Sequence, residues 1–331
     1  MPEARHDLQY LSVQLSTGVD SRVINYNGLT GEAAVGDQVL VNTTATDLKL
    51  GTGGFDYVIT NLSRLGGQFG TTDGHIIKGR YLPCQHSVLT LEEQSQYAHV
   101  WEASLERVPV LVGQLHSQML PSAQGLKSAG FERVVYIMTD CGALRIGLSN
   151  DVLFAKKHSL VAATITCGQA SGGDAECVTL HSALLAAVHI FGADAIIVCQ
   201  GPGNAGTGTK FGFGGVEMAQ NIDIVNKLNG SVVAIARCSS ADSRPRHRDL
   251  SHHTRTALAM TYSDCLVALP RDLLRDGIEN RHRVTWPKGG HRVVHFLLDS
   301  GVVLRSMGRT YFDDPLFFEA AAVAGLAARH V

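Results

Sequence analysis

The chain has 331 residues, 45% of them hydrophobic and 18% charged, with a formal net charge of −2 at pH 7. These values describe a folded globular chain of two or three domains, and the near-neutral charge excludes a global attraction to nucleic acid or to an acidic membrane surface. The seven cysteines are odd in number, widely spaced and without a C-x-x-C pair, which excludes a disulfide framework and a zinc ribbon.

Residues 1–10 carry no apolar leader, and the apolar stretch 316–328 is too short to span a bilayer. A cytoplasmic chain with no membrane partner is the expectation. Residues 8–92 read as β-rich. Short alternating or β-branched runs at 11–15, 22–26, 38–42, 56–60 and 75–82, punctuated by glycines, predict a small barrel or sandwich. A glycine cluster at 50–55 reads as a hairpin turn. The polar stretch 92–107 carries the boundary, which gives a small β domain over 1–95 and a second domain over 96–331.

Beyond the boundary, apolar runs fall at 110–112, 134–138, 160–165, 195–199, 232–236 and 265–269. They recur every ~25–35 residues, the length of a βα unit. Apolarity that is continuous rather than alternating indicates strands covered on both sides. The fold class is therefore α/β: a Rossmann-like, mostly parallel sheet with helices on both faces. Helical stripes fill the gaps. One covers 117–129, with Pro121 in its first turn and Gly130 ending it, and another covers 143–157. A third is N-capped by Asp174 and ends at Gly192, a fourth runs over 218–228 to Gly230, and a fifth starts near Ser251. The tail reads as a hairpin over 293–298 and 302–304. A last helix follows, with Asp314 at its cap and Pro315 first inside it.

The stretch 195–215, AIIVCQGPGNAGTGTKFGFGG, is a buried strand that empties into a glycine-rich loop ahead of a helix. Strand, glycine loop and helix N-terminus together present bare backbone N–H groups to an anion. The loop matches G-x-G-x-x-G from Gly201 to Gly206, but the helix does not open at once and no acid follows the next strand, as a dinucleotide fingerprint requires. Thr209-Lys210 reverses the Lys-Ser/Thr order of a P-loop, and Phe211 stands where the hydroxyl belongs.

In an open α/β sheet the ligand lies beyond the carboxyl ends of the strands. His116 follows the run at 110–112, Asp140 follows 134–138, and Gly168, Gly172, Gly173 and Asp174 follow 160–165. The run at 232–236 leads to Arg244, Arg246, His247 and Arg248, with His252 and His253 close behind. Guanidinium forks suit phosphate or carboxylate. The backbone of Gly201, Gly203, Gly206, Thr207, Gly208 and Thr209, with that of 168–174, is expected to cradle the anion, and Arg244, Arg246 and Arg248 to neutralise it. Asp140, His116, His247 and His252 are the candidates for proton transfer. No metal site is assigned. A divalent metal on His247, His252 and His253 is the alternative, although adjacent helical residues point about 100° apart.

Several further motifs stand out along the chain. They are Asn42-Thr43-Thr44-Ala45 with Leu50-Gly51-Thr52-Gly53-Gly54, Thr139-Asp140 with Gly142-Ala143-Leu144, and Thr164-Ile165-Thr166 with Gly168-Gln169-Ala170. Gly172-Gly173-Asp174, Gly201-Pro202-Gly203 with Gly206-Thr207-Gly208-Thr209, and Arg246-His247-Arg248 with Ser251-His252-His253-Thr254 complete the set, and together, over nearly the whole chain, these motifs resemble the bacterial domain-of-unknown-function 3866 family. Cys167 and Cys177 stand where small or apolar residues are common in the family. The resemblance implies a bacterial cytoplasmic protein and brings no established activity, so no catalytic residue is carried over.

The functional expectation rests on the residues themselves. It is a small anionic ligand, phosphorylated or nucleotide-like, in a strand-end cleft, handled by a hydrolase or transferase. The alternative is a non-catalytic binding, regulatory or oligomeric structural protein.

Overall fold

The computed structural model describes residues 7–49, 53–64, 73–271 and 273–331. The chain divides into two compact units, Met1–Leu89 and Thr90–Val331. The division falls a few residues before the boundary read from sequence. Thr90 opens a short helical turn whose Leu91 is buried in the core of the larger unit, together with Val100 and Leu105.

The smaller unit is built on strands β1 (Leu8–Gln14), β2 (Asp20–Tyr26), β3 (Val39–Asn42) and β4 (Asp56–Asn61), with one-turn helices α1 (Asn27–Thr30) and α2 (Thr44–Asp47). The sheet order is β1-β2-β4-β3. Pairing is antiparallel except for β2 with β4. This corrects the expected barrel or sandwich. A barrel needs its first and last strands to pair, and here β1 and β3 remain edges. Strands β5 (Ile76–Lys78) and β6 (His86–Val88) form a separate hairpin. Of the glycine cluster at 50–55, residues 50–52 lie outside the described residues; Gly53 and Gly54 have φ of 70° and 73° and lead into β4.

In the larger unit the chain runs through β7 (Pro109–Val112), α3 (Met119–Ala129), β8 (Val134–Thr139), α4 (Asn150–Lys157), β9 (Ala163–Thr166), β10 (Ala175–Glu176) and α5 (Leu180–His189). It continues through β11 (Ala195–Gln200), α6 (Met218–Lys227), β12 (Ser231–Ile235), a small pair β13 (Cys238–Ser239) and β14 (Asp249–Leu250), and α7 (His252–Met260). Strands β15 (Leu266–Ala268) and β16 (Arg283–Thr285), helix α8 (Gly290–Asp299), a second small pair β17 (Arg305–Ser306) and β18 (Arg309–Thr310), and helix α9 (Pro315–Ala327) complete it. The main sheet has eight strands, all parallel, in the order β10-β9-β8-β11-β7-β12-β15-β16.

Two hydrophobic cores lie on the two sides of this sheet, and successive strand residues alternate between them. Val110, Val112, Ile196 and Val198 join one core with residues of α5, α6 and α7. Leu111, Ile197, Cys199 and Val233 join the other with residues of α3, α4, α8 and α9. This is why each run is apolar without a break: both faces of the strand are covered. The helix after β7 goes to one face and the helix after β11 to the other, so the carboxyl ends of these neighbours form the switch-point crevice of an open α/β sheet. No helix among the described residues is long and apolar enough to cross a membrane.

Three expectations are corrected. Residues 293–298 are not a hairpin strand but lie in α8, where Val293, Val294 and Leu297 are buried at helical spacing. The helix expected over 143–157 starts only at Asn150, because the Ser149 hydroxyl accepts the Val152 N–H at 3.0 Å and fixes the N-terminus there. Asp174 does not cap α5. Thr179 does so through the Ser182 N–H.

Candidate functional site

Asp174 is engaged elsewhere: its carboxylate accepts the N–H and hydroxyl of Thr164 at 2.8 and 2.9 Å and pairs with Lys156. The loop before it is closed in the same way. Gly172 N–H donates to Glu176 Oε1, Gly173 N–H to Thr166 Oγ1, Gln169 N–H to Asp140 Oδ2 and Gly168 N–H to the Val178 carbonyl. A backbone cradle needs unengaged donors, so Gly168, Gly172, Gly173 and Asp174 serve the fold rather than an anion.

The central loop is divided. Its first glycines exist for close packing. A Cβ on Gly201 would fall on the carbonyl oxygen of Ala143, and one on Gly142 would fall on the carbonyl oxygen of Gly201. The loops after β8 and β11 thus touch backbone to backbone. Further on, Thr207 N–H and hydroxyl bond the Gly212 carbonyl, and the Thr207 and Thr209 hydroxyls meet at 3.0 Å. Both threonines therefore stiffen the loop tip. Among the described residues no protein acceptor meets the N–H of Gly203, Gly206 or Gly208, all three exposed.

The sequence reading expects the glycine loop and the basic segment at one strand-end cleft, and in the structure the two segments touch through Gly208 and Arg246. A Cβ on Gly208 would lie 3.3 Å from an Arg246 Nη2, so this exposed guanidinium rests on the Gly208 backbone. A Cβ on Gly206 would lie 3.9 Å from His253 Cε1. Phe213, at the return of the loop, stacks on the His253 ring with centroids 3.7 Å apart and planes 3° from parallel.

Ser251 N-caps α7 by accepting the His253 N–H at 3.2 Å, and the same hydroxyl lies 2.8 Å from His247 Nδ1. The turn at Pro245–His247 swings His247 back over the first residues of the helix. The rings of His247, His252 and His253 consequently cluster with centroids 4.4 to 4.9 Å apart. One ring nitrogen from each lies within 4.8 Å of the others. His252 Nε2 is buried with no hydrogen-bond partner.

Arginines set the electrostatics. Arg237, 2% exposed at the end of β12, donates from Nη1 to His253 Nδ1 at 2.8 Å. A guanidinium only donates, so His253 Nδ1 must accept and the ring proton sits on Nε2. Burial, then the charges of Arg237 and Arg244, push His247 down to about 3. Burial and Arg237 push His253 down to about 2, and burial with Arg246 lowers His252. All three imidazoles are neutral at pH 7. Burial likewise lowers Arg237 to about 10, which leaves it charged.

The expected neutralising arginines separate into different roles. Arg244 is held by Asp242 through Nε at 2.9 Å and Nη2 at 2.8 Å, and Arg248 donates to the Asp242 carbonyl. Asp242, 1% exposed, also receives Arg309 at 3.3 Å and faces Arg237 at 3.9 Å. The Arg244 hydrogen bonds hold its carboxyl well below the usual range. Arg309 is shared with a second buried carboxylate, Asp314, at 3.2 Å, so two carboxylates face Arg237, Arg244 and Arg309, and with Arg246 the cluster keeps excess positive charge.

His116 does not join this site. It is buried between the Tyr136 hydroxyl at 2.9 Å and the Ser149 hydroxyl at 2.5 Å, and burial pushes it down to about 4. Its place is in the core under the strand ends, which removes it from proton transfer with a ligand. Asp140 lies at the end of β8 and is bonded to the Gln169 N–H.

Two groups escaped the sequence reading, Arg237 and Glu217. Glu217 closes the turn Gly214–Glu217 before α6 and accepts the Thr139 hydroxyl at 2.6 Å. Burial raises its pKa, and the charge of Asp140 adds to this. An arginine immediately after a fully buried strand, and an acid immediately before an apolar helical stripe, were the available signals.

The three imidazoles are also the residues that could hold a metal. A metal-binding imidazole normally donates its second N–H to a carboxylate or carbonyl. His253 faces a guanidinium instead. The arrangement suits the donation of hydrogen bonds to an anion better than the coordination of a cation.

No curated protein and no solved structure matches the chain. One family model does, that of the protein of unknown function DUF3866, over residues 22–325, and the chain belongs to that family.

Proposed function

We propose that the larger unit binds a small oxyanion-bearing ligand, phosphate-like in shape and charge, at the carboxyl ends of β11, β7 and β12. The observation that carries this reading is the hydrogen bond from Arg237 to His253, which makes the other nitrogen of that ring a donor. Gly206 and Gly208 border the same cluster, and Arg246 supplies a guanidinium with solvent access. Hydrogen bonds with a charged partner contribute about 1.5–3 kcal/mol each. Neutral imidazoles add donors without adding to the repulsion among the arginines.

Calorimetric titration with inorganic phosphate tests the proposal. The wild-type chain is expected to bind one phosphate, and Arg246→Ala to weaken binding at least about tenfold, or ~1.4 kcal/mol, with an unchanged melting temperature. Stoichiometric zinc binding that disappears in His253→Ala, with no response to phosphate, would overturn it in favour of a metal centre.

A further inference from the structure

The donor cluster has a counterpart made of acceptors. Gln200, 1% exposed at the end of β11, has Oε1 buried without a hydrogen-bond partner, while its Nε2 is directed to the Gly203 carbonyl and Asn204 Oδ1 at 3.4 and 3.2 Å. Around Gly214, the position a Cβ would occupy has Gln200 Oε1 and Asn204 Oδ1 at 3.1 Å and the Cys141 carbonyl at 3.2 Å. The three oxygens therefore pack closely against Gly214, where only a glycine fits; Asn204 Oδ1 already accepts from the Gly215 N–H at 3.0 Å and from Gln200 Nε2, and Gln200 Oε1 is the one left without a donor. Glu217, half-buried, stands at the end of the same turn, with its carboxylate taking hydrogen bonds from Thr139 and Cys141. A buried acceptor without a donor is costly, on the order of 1–3 kcal/mol, unless a ligand or water supplies one.

The turn that carries these groups also reaches the donor cluster. Phe213 stacks on His253 at one end, and Glu217 meets Thr139 at the other. Gln114 ties the turn to α7 by donating to both the Gly215 and His253 carbonyls. Four residue steps span about 8 Å in a 3₁₀ turn and at most about 14 Å extended. Donor and acceptor groups are thus on the order of 10 Å apart on one crevice. A bare phosphate fills only the donor end.

We infer that the ligand is a phosphate ester of a polyhydroxylated compound, with its oxyanion at the His247, His252, His253 and Arg246 end and its hydroxyls donating to Glu217 and Gln200. This rests on the oxyanion reading above and extends it to substrate class. Hydroxyls fit because they satisfy acceptors without bringing a second charge. A site built to hydrogen-bond hydroxyls discriminates strongly against analogues that lack them.

The test compares inorganic phosphate, methyl phosphate and a pentose phosphate by calorimetry on the full chain. The pentose phosphate is expected to bind at least tenfold more tightly than methyl phosphate. That gain should fall to under threefold in Glu217→Gln and in Gly214→Ala, whose added methyl would press on Gln200 Oε1 and displace it. Methyl phosphate itself should bind both variants within twofold of wild type, which also shows that they are folded. Equal affinities for the two esters in the wild type, or a gain that survives both substitutions, would overturn the inference and leave the oxyanion site standing. Failure of all three compounds to bind would remove the oxyanion reading and this inference with it.

Discussion

The two poles of the parallel sheet differ in kind. At the amino pole, the first residues of β12, β15 and β16 border a hollow of about 370 Å³ lined by Arg107, Asn229, Ser231, Cys265 and Arg283 among others. Chemistry there is largely closed on the protein itself. Cys265 Sγ lies 3.4 Å from His282 Nδ1, burial pushes its thiol up to about 12, and Arg283 donates to the His330 carbonyl. At the carboxyl pole, buried His252 Nε2 and Gln200 Oε1 lack partners and Arg246 rests exposed on the glycine loop. Volume is therefore a poor guide to this molecule. Unsatisfied groups of matched polarity are a better one, because a ligand gains most where the protein has left hydrogen bonds to be made.

The comparison breaks first at Asp242. This buried carboxylate faces Arg237, Arg244 and Arg309, of which Arg309 alone has a second carboxylate, Asp314. Asp242→Asn would leave Arg237 buried among like charges, and removing one partner of a buried pair costs about 3–5 kcal/mol. Urea denaturation should show a loss of that order. Unchanged stability would mean that the positive field is weaker than the geometry suggests.

The next effect concerns pH. His116 is neutral in the folded chain down to about 4, whereas in the unfolded chain it titrates near its ordinary value of 6.5. Between these values the unfolded state binds more protons, so stability falls as pH falls from 6.5 to about 4 and is fully present above 6.5. The shift corresponds to roughly 3 kcal/mol. His247 and His253, lowered to about 3 and about 2, act in the same direction and carry the loss further down. Bound phosphate should oppose it, because an anion beside these rings raises their proton affinity. Melting curves from pH 7 to 4, with and without phosphate, should diverge as pH drops.

A smaller loss is expected from Gly142→Ala. The new methyl would fall on the Gly201 carbonyl, and overpacking of this kind costs about 1–3 kcal/mol. Because it would push the loops after β8 and β11 apart, the loss of stability should come with weakened ligand binding.

How much of this was legible in sequence follows from which forces act locally. The six apolar runs found the main strands because burial on both faces writes itself into composition, as Ile196, Ile197 and Val198 show. Helix α8 was misread because Val293 and Val294 favour extended structure as an isolated pair, and only Leu297 one turn on reveals the helical face. The glycine loop and the basic segment were each visible, but Gly208 meeting Arg246 depends on tertiary packing that no spacing encodes. The histidine cluster shows the same limit. Helical geometry separates His252 from His253, yet their rings close to 4.4 Å once Phe213 and His247 pack against them. Arg237 was hidden for a related reason: a charge at a strand end is ordinary until its burial and its hydrogen bond to His253 are known.

The smallest effect is the sharpest test of the two poles. Strands of five to six residues separate them, from Ser231–Ile235 in β12 to Ala195–Gln200 in β11. At about 3.3 Å per residue that is roughly 17–20 Å, beyond the ~8 Å Debye length at physiological salt. Arg107→Glu, which reverses a charge beside the amino-pole hollow, should therefore leave phosphate affinity within twofold, whereas Arg246→Ala weakens it about tenfold or more. Both variants can be followed by the same titration at 0.15 M salt. If Arg107→Glu weakened binding as much as Arg246→Ala, the anion would belong in the hollow. The unpaired groups at the carboxyl pole would then need another explanation.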